Sequence, residues 1–175
     1  MYVGAVDALA SLAPAPFRVD LGGHTYTVPP RNARDWLEVL LSAELDVTEI
    51  LPGFLDPADE MAVDQAMVDG DVTPEELEKR VLELMDETVG HPWWWTWRVL
   101  NTLTSAHMWP YVHGRLVRDG VDPAARGLGE WLHAGLSVVR DLIDPQKFQR
   151  LMTELDSTPV GVEVELDYRS EEDTF

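Results

Sequence analysis

Apolar residues recur along this chain at two spacings, and the change from one to the other divides it. Over residues 17–28 the segments FRVDL and HTYTV alternate apolar and polar positions on either side of Gly22-Gly23. That period of two predicts a β-hairpin, with the glycines supplying the positive φ of a tight turn. Pro29-Pro30 then blocks further strand pairing, and the spacing lengthens. Trp36, Leu37, Leu40 and Leu41 share one face of a helix predicted over residues 33–43 with Asn32 as its cap. A short segment over residues 47–51 is expected to stop at Pro52-Gly53.

Helix starts punctuate the remainder. Asp56-Pro57 predicts a helix to about residue 68 that ends at Gly70. Thr73-Pro74-Glu75-Glu76 reads as a capping box for a helix that turns Leu77, Val81, Leu84 and Met85 inward and ends near Gly90. Pro92 restarts a helix to about His107, and Trp109-Pro110 begins another that ends at Gly120. Asp122-Pro123 marks a turn, residues 128–143 a further helix, and Asp144-Pro145 caps a last one to about Leu155. Val160, Val162, Val164 and Leu166 alternate with acidic or small residues, which suits a lone strand. The expected fold is mainly α: one helical domain over residues 17–156 with a small N-terminal β-hairpin and an acidic two-helix insert. An Ala-rich flexible arm, residues 1–16, precedes it, and an acidic tail, residues 157–175, follows.

Charge sharpens that division. The chain has 175 residues, with 13 Lys and Arg against 32 Asp and Glu, a formal net charge of −19. Residues 56–87 hold 2 basic and 12 acidic side chains, residues 154–175 hold 1 and 8, and residues 88–153 hold 7 and 5. A nearly neutral body is thus joined to an acidic helical pair and an acidic tail. Such a balance argues against nucleic-acid binding through counterion release and against anionic membranes. Apolar runs are all interrupted short of the roughly 20 residues that span a bilayer, and no basic region precedes an apolar run at the N-terminus. The absence of cysteine excludes disulfides, thiolate metal sites and a Cys nucleophile, and fits a reducing cytoplasm.

Catalytic chemistry finds no foothold. His24, His91, His107, His113 and His133 show no i, i+4 pairing; His107 and His113 could converge across the Trp109-Pro110 turn, but two imidazoles are a thin metal site. No serine sits in a Gly-x-Ser-x-Gly elbow, and Gly22-Gly23 lacks the surroundings of a phosphate loop. The acidic pair has no EF-hand spacing; Asp69-Gly70-Asp71 reads as a turn, and the carboxylates as a solvated face or a dock for a basic partner. No catalytic, cofactor-binding or metal residue is assigned.

The strongest oddity is WWWTW at residues 93–97, followed by Trp109. Successive helical residues are turned by about 100°, so these indoles point around nearly the whole circumference. Either the helix is central and covered on every side, or some rings remain as anchors for another chain. Stacking on single strands is opposed by the net charge. Trp93, Trp94, Trp97 and Trp109 are the candidate partner-binding residues.

The order of the hairpin, Pro29-Pro30, Trp36-Leu37, Leu51-Pro52-Gly53-Phe54-Leu55, the acidic helical pair, Trp93-Trp94-Trp95, Trp109-Pro110 and Gly120-Val121-Asp122-Pro123 resembles tail assembly chaperones of long-tailed, siphovirus-type phages of actinobacteria. The likeness covers residues 17–156 and rests on order more than on an invariant signature. It implies a non-enzymatic, largely helical protein without cofactor. Its implied partners are the tape measure protein and tail tube subunits, with no nucleic acid and no membrane, and homo-oligomerisation is compatible with it. It further implies action in the host cytoplasm, absence from the finished virion, and in many members a longer form made by frameshifting, to which residues 170–175 would suit a junction. Two other functions fit the residues: an acidic nucleic-acid mimic that inhibits a host protein, and a small structural connector of the virion.

Overall fold

The computed structural model describes residues 15–160 other than residue 44. β1 (Phe17–Leu21) and β2 (His24–Val28) pair antiparallel, with Phe17 opposite Val28 and Leu21 opposite His24. Gly22 and Gly23 hold φ at 54° and 78°, the pair of left-handed residues that a type I′ turn requires. Alternation puts Val19, Leu21, Tyr26 and Val28 on the covered face.

Eight α-helices follow among the described residues. α1 (Ala33–Leu40) starts where Asn32 Oδ1 accepts from the Asp35 amide at 3.1 Å. It ends three residues short of the expected 43, so Leu41 is exposed rather than on the inward face. α2 (Val47–Phe54) corrects the expected stop at Pro52-Gly53: the helix runs through Pro52. Asp46 caps its start, the proline lies only two residues from its end, and Ile50, Leu51, Pro52 and Phe54 are all buried. That burial outweighs one lost amide bond in a last turn closed by Leu55 N–H donating to Pro52 O at 2.9 Å.

α3 (Pro57–Asp69) and α4 (Pro74–Val89) start at the predicted caps and end on left-handed Gly70 and Gly90. Thr73 Oγ1 accepts from the Glu76 amide at 3.2 Å, the first half of the predicted capping box. α5 (Trp93–Thr104) stops three residues before the expected His107. Thr102, Thr104 and Ser105 turn their hydroxyls back to helix carbonyls, and Ser105 O instead receives the Met108 and Trp109 amides. α6 (Trp109–Arg118), a 3-10 turn (Pro123–Ala125), α7 (Leu128–Leu142) and α8 (Pro145–Asp156) complete the order.

α4 and α7 form the centre. α4 packs on β1, α2, α5 and α7, and α7 packs on α1, α4, α5, α6 and α8. Close approach is built into α7: a Cβ on Gly135 would lie 2.5 Å from Leu103 Cδ1 of α5, and one on Gly129 3.1 Å from Val89 O at the end of α4. The second helix of the acidic pair is therefore core, with Leu77, Val81, Leu84, Met85 and Val89 buried, whereas α3 buries Val63 alone. The fold is mainly α with one small N-terminal hairpin. The arm and the expected strand after residue 160 lie, but for their junctions, outside the described residues. Among the described residues no helix is long and apolar enough to cross a membrane.

Candidate functional site

The indole cluster is placed by the turn between α4 and α5. Gly90 ends α4 in the left-handed conformation, and Pro92, at the cap position of α5, offers it no side-chain bond. Asp86, near the end of α4, faces the Trp93 amide instead. Burial raises the Asp86 carboxyl above its usual range, opposed by that amide and reinforced by Glu83. The helix then turns Trp95, Thr96, Val99, Leu100 and Leu103 into the core.

Trp95 is only 2 % exposed. The His91 ring stacks on it at 4.1 Å with 13° between planes, and the His133 ring of α7 lies 5.3 Å from it. His133 Nδ1 donates to Gly129 O at 2.7 Å, since a carbonyl oxygen can only accept. Burial lowers the pKa of His91, nearby His133 lowers it further, and Asp156 opposes both. The Trp95 indole N–H and Thr96 Oγ1 are buried without a hydrogen-bond partner.

The four candidate partner-binding residues share a different environment. Trp93, Trp94, Trp97 and Trp109 are each half-buried and packed against the core, with part of each residue open to solvent. Trp93 and Trp94 meet edge to face at 5.9 Å and 81°. Trp97 follows on the same first turns of α5, while Trp109 opens α6 beyond the other end of α5, where its ring partner is His113 at 5.0 Å. The structure thus gathers three of the four at one end of α5. His107 and His113 are both exposed, and among the described residues no group of three or more His, Cys, Asp or Glu side chains gathers as a metal site.

Several anchoring residues had no signal in the sequence. Arg98, one turn along α5 from Trp94, donates through Nη1 to Glu154 O at 2.7 Å, to Ser157 Oγ at 3.2 Å and to Ser157 O. That cation closes the C-terminus of α8 and ties it to the indole helix. Arg31 lies over the Phe54 ring at 5.3 Å and donates through Nη2 to Phe54 O at 2.6 Å. It borders a cavity of about 200 Å³ between the hairpin exit, Trp36, Phe54 and Leu84. Each of these contacts joins residues more than 20 positions apart, beyond the reach of any local pattern. His91 and Trp95 are the exception: their i, i+4 spacing was visible.

What the arrangement offers chemically is contact area: Trp93, Trp94, Trp97 and Trp109 pack against the core and remain partly exposed. Comparison with protein-family models, with curated proteins and with solved structures found no match to the chain.

Proposed function

We propose that this protein is a non-enzymatic assembly chaperone that holds a long, apolar-striped helical partner in solution, as the likeness to tail assembly chaperones implies. In that reading the partners are a tape measure protein and tail tube subunits, and the protein acts in the host cytoplasm without entering the virion. The observation that carries it is the contrast within one helix: Trp95 is sealed, whereas Trp93, Trp94 and Trp97 stay half-open. Rings already fixed by the core lose little freedom when a partner covers them, which is the property of binding hot spots. The net charge of −19 supports the same role, because a complex with an apolar client needs surplus charge to remain dispersed.

Co-expression with the tape measure protein tests the proposal. Wild-type chain is expected to keep the partner in the soluble fraction, and Trp93→Ala with Trp94→Ala to weaken binding by about tenfold or more. A partner equally soluble with and without this protein would remove the reading. The acidic exterior of α3 favours the nucleic-acid mimic as the second reading; it predicts capture of basic proteins that is lost steeply with salt, where indole-mediated binding persists.

A further inference from the structure

The hairpin keeps one edge unused. Among the described residues β2 pairs with β1 alone, and no residue from His24 to Val28 makes a backbone hydrogen bond outside the hairpin. In a two-residue hairpin the pair beside the turn exchanges both amide bonds, and bonded and unbonded pairs alternate from there. Leu21 and His24, Val19 and Tyr26, and Phe17 and Val28 are therefore the bonded pairs, whereas Thr25 and Thr27 turn N–H and C=O away from β1.

A groove of about 410 Å³ lies along that edge. Tyr26, on the covered face, and Thr25, on the opposite face, both line it, and no residue of β1 does, so its inner wall is the edge of β2 rather than one of its faces. The outer wall is α3, where Asp59, Ala62, Ala66 and Asp69 recur at three- and four-residue spacing along one side. Two alanines keep the middle of that wall low. The turn closes one end of the groove: a Cβ on Gly22 would lie 3.0 Å from Val72 Cγ2 and 3.5 Å from Asp71 O.

We propose that an extended basic segment of a partner protein docks here as a third strand, bonded to Thr25 and Thr27 and running alongside α3. Main-chain bonds supply affinity in such a site, and the side-chain pattern supplies specificity. Charge selects the occupant. The charged groups that line the groove are Asp59, Asp69 and Asp71, with no Lys or Arg among them, and the one imidazole is His24. Among the described residues none of the three carboxylates is in an ion pair; Asp69 accepts only from the neutral Gln65 amide, at 2.9 Å. The same charge turns away this chain's own candidates. The alternating segment over residues 160–166 carries Glu163 and Glu165, and β2 of a second copy would bring a second acidic α3 with it. No indole lines the groove, so the inference does not rest on the chaperone reading and its failure would leave that reading untouched.

Fluorescence anisotropy of a labelled, amidated Lys-Val-Lys-Val-Lys-Val peptide with the full chain, in about 0.05 M salt, tests the docking, and amide hydrogen exchange tests the strand. Saturable binding is expected, with a Glu-Val-Glu-Val-Glu-Val peptide about tenfold weaker or more. Exchange at the Thr25 and Thr27 amides should slow about tenfold or more when the Lys peptide is added. Methyl groups on alternate peptide nitrogens separate pairing from plain charge: the set that faces β2 should abolish binding, and the set that faces away should leave it. Thr25→Pro removes an outward donor where an edge strand tolerates proline, and should weaken binding about fivefold or more with helical circular dichroism unchanged. Asp69→Lys with Asp71→Lys leaves the hairpin intact and should reverse the preference between the two peptides. Absence of binding, an equal response to both methylated sets, or a preference unmoved by the double Lys variant would each overturn the proposal. So would slow exchange at Thr25 and Thr27 in the free protein, which would mean that this chain itself holds the edge.

Discussion

α3 and α4 follow each other in the chain, each opening on a capped proline, ending on a left-handed glycine and carrying many carboxylates. Their fates differ. In α4 the residues at 77, 81, 84 and 85 repeat at i, i+4, i+7 and i+8, so one stripe goes into the core and the acids face water. In α3 the apolar residues are scattered round the circumference: Val63 is buried, Ala66 and Met67 rest against the core, and Met61 and Val68 point outward. Charge density describes how the outside of a helix meets water. The phase of its apolar residues decides whether the helix is core, and for α3 it leaves Met61 and Val68 exposed.

Truncation on the two helices gives the sharpest test of that contrast. Leu77→Ala should cost about 3 kcal/mol, since Leu77 is fully buried at the centre of the fold. Val63→Ala should cost about half that, for two buried methyl groups. Met61→Ser with Val68→Ser should leave monomer stability within about 0.5 kcal/mol. Urea denaturation of the three variants reads all of these, and a Val63→Ala loss equal to that of Leu77→Ala would make α3 as much core as α4.

Glycines give the next largest effect, with opposite signs. Gly129→Ala forces a Cβ to within 3.1 Å of the Val89 carbonyl, a backbone atom that cannot swing aside. A net loss of about 1 kcal/mol is expected after the gain in helix propensity is subtracted. Gly114→Ala meets open space and should stabilise the monomer by up to about 1 kcal/mol. Thermal unfolding of the pair distinguishes close approach from mere tolerance: if both variants are stabilised, α7 does not press on the end of α4.

Much of this architecture was legible because it is local. The Gly22-Gly23 hairpin, the caps at Asn32, Asp56, Thr73 and Asp144, and the inward stripe of α4 each depend on residues within a few positions of one another. Pro52 misled because the rule against proline concerns hydrogen bonding, while burial of Ile50, Leu51 and Phe54 decides whether α2 continues. The end of α5 at Thr104 was hidden in three hydroxyls that compete for helix carbonyls. For the candidate site the sequence supplied four indoles in five residues but not their sorting. Which ring is sealed depends on where α4 and α7 lie, and that places Trp95 inward between His91 and His133 and leaves its neighbours half-open.

The smallest effect concerns the end of α4, where the core helix gives way to the indole helix. Burial raises the Asp86 pKa above its unfolded value near 3.8, so the folded state binds this proton more readily than the unfolded one. Stability attributable to Asp86 therefore falls as pH rises through the raised value, and the charged carboxylate is a cost at neutral pH. Asp86→Asn keeps an acceptor for the Trp93 amide and removes the charge. It should raise Tm by no more than about 2 °C at pH 7, with the gain shrinking as pH falls through the raised value towards 3.8 and the wild-type carboxyl becomes neutral. His91 titrates with the opposite sense. Its folded pKa lies below 6.5, so wild type and variant alike should lose stability as pH falls below that value, and the difference between them isolates Asp86. A variant less stable than wild type at pH 7 would mean that the carboxylate holds the start of α5 more strongly than burial opposes it, and the junction would then belong with the solvated acids of α3 rather than with the buried half of α4.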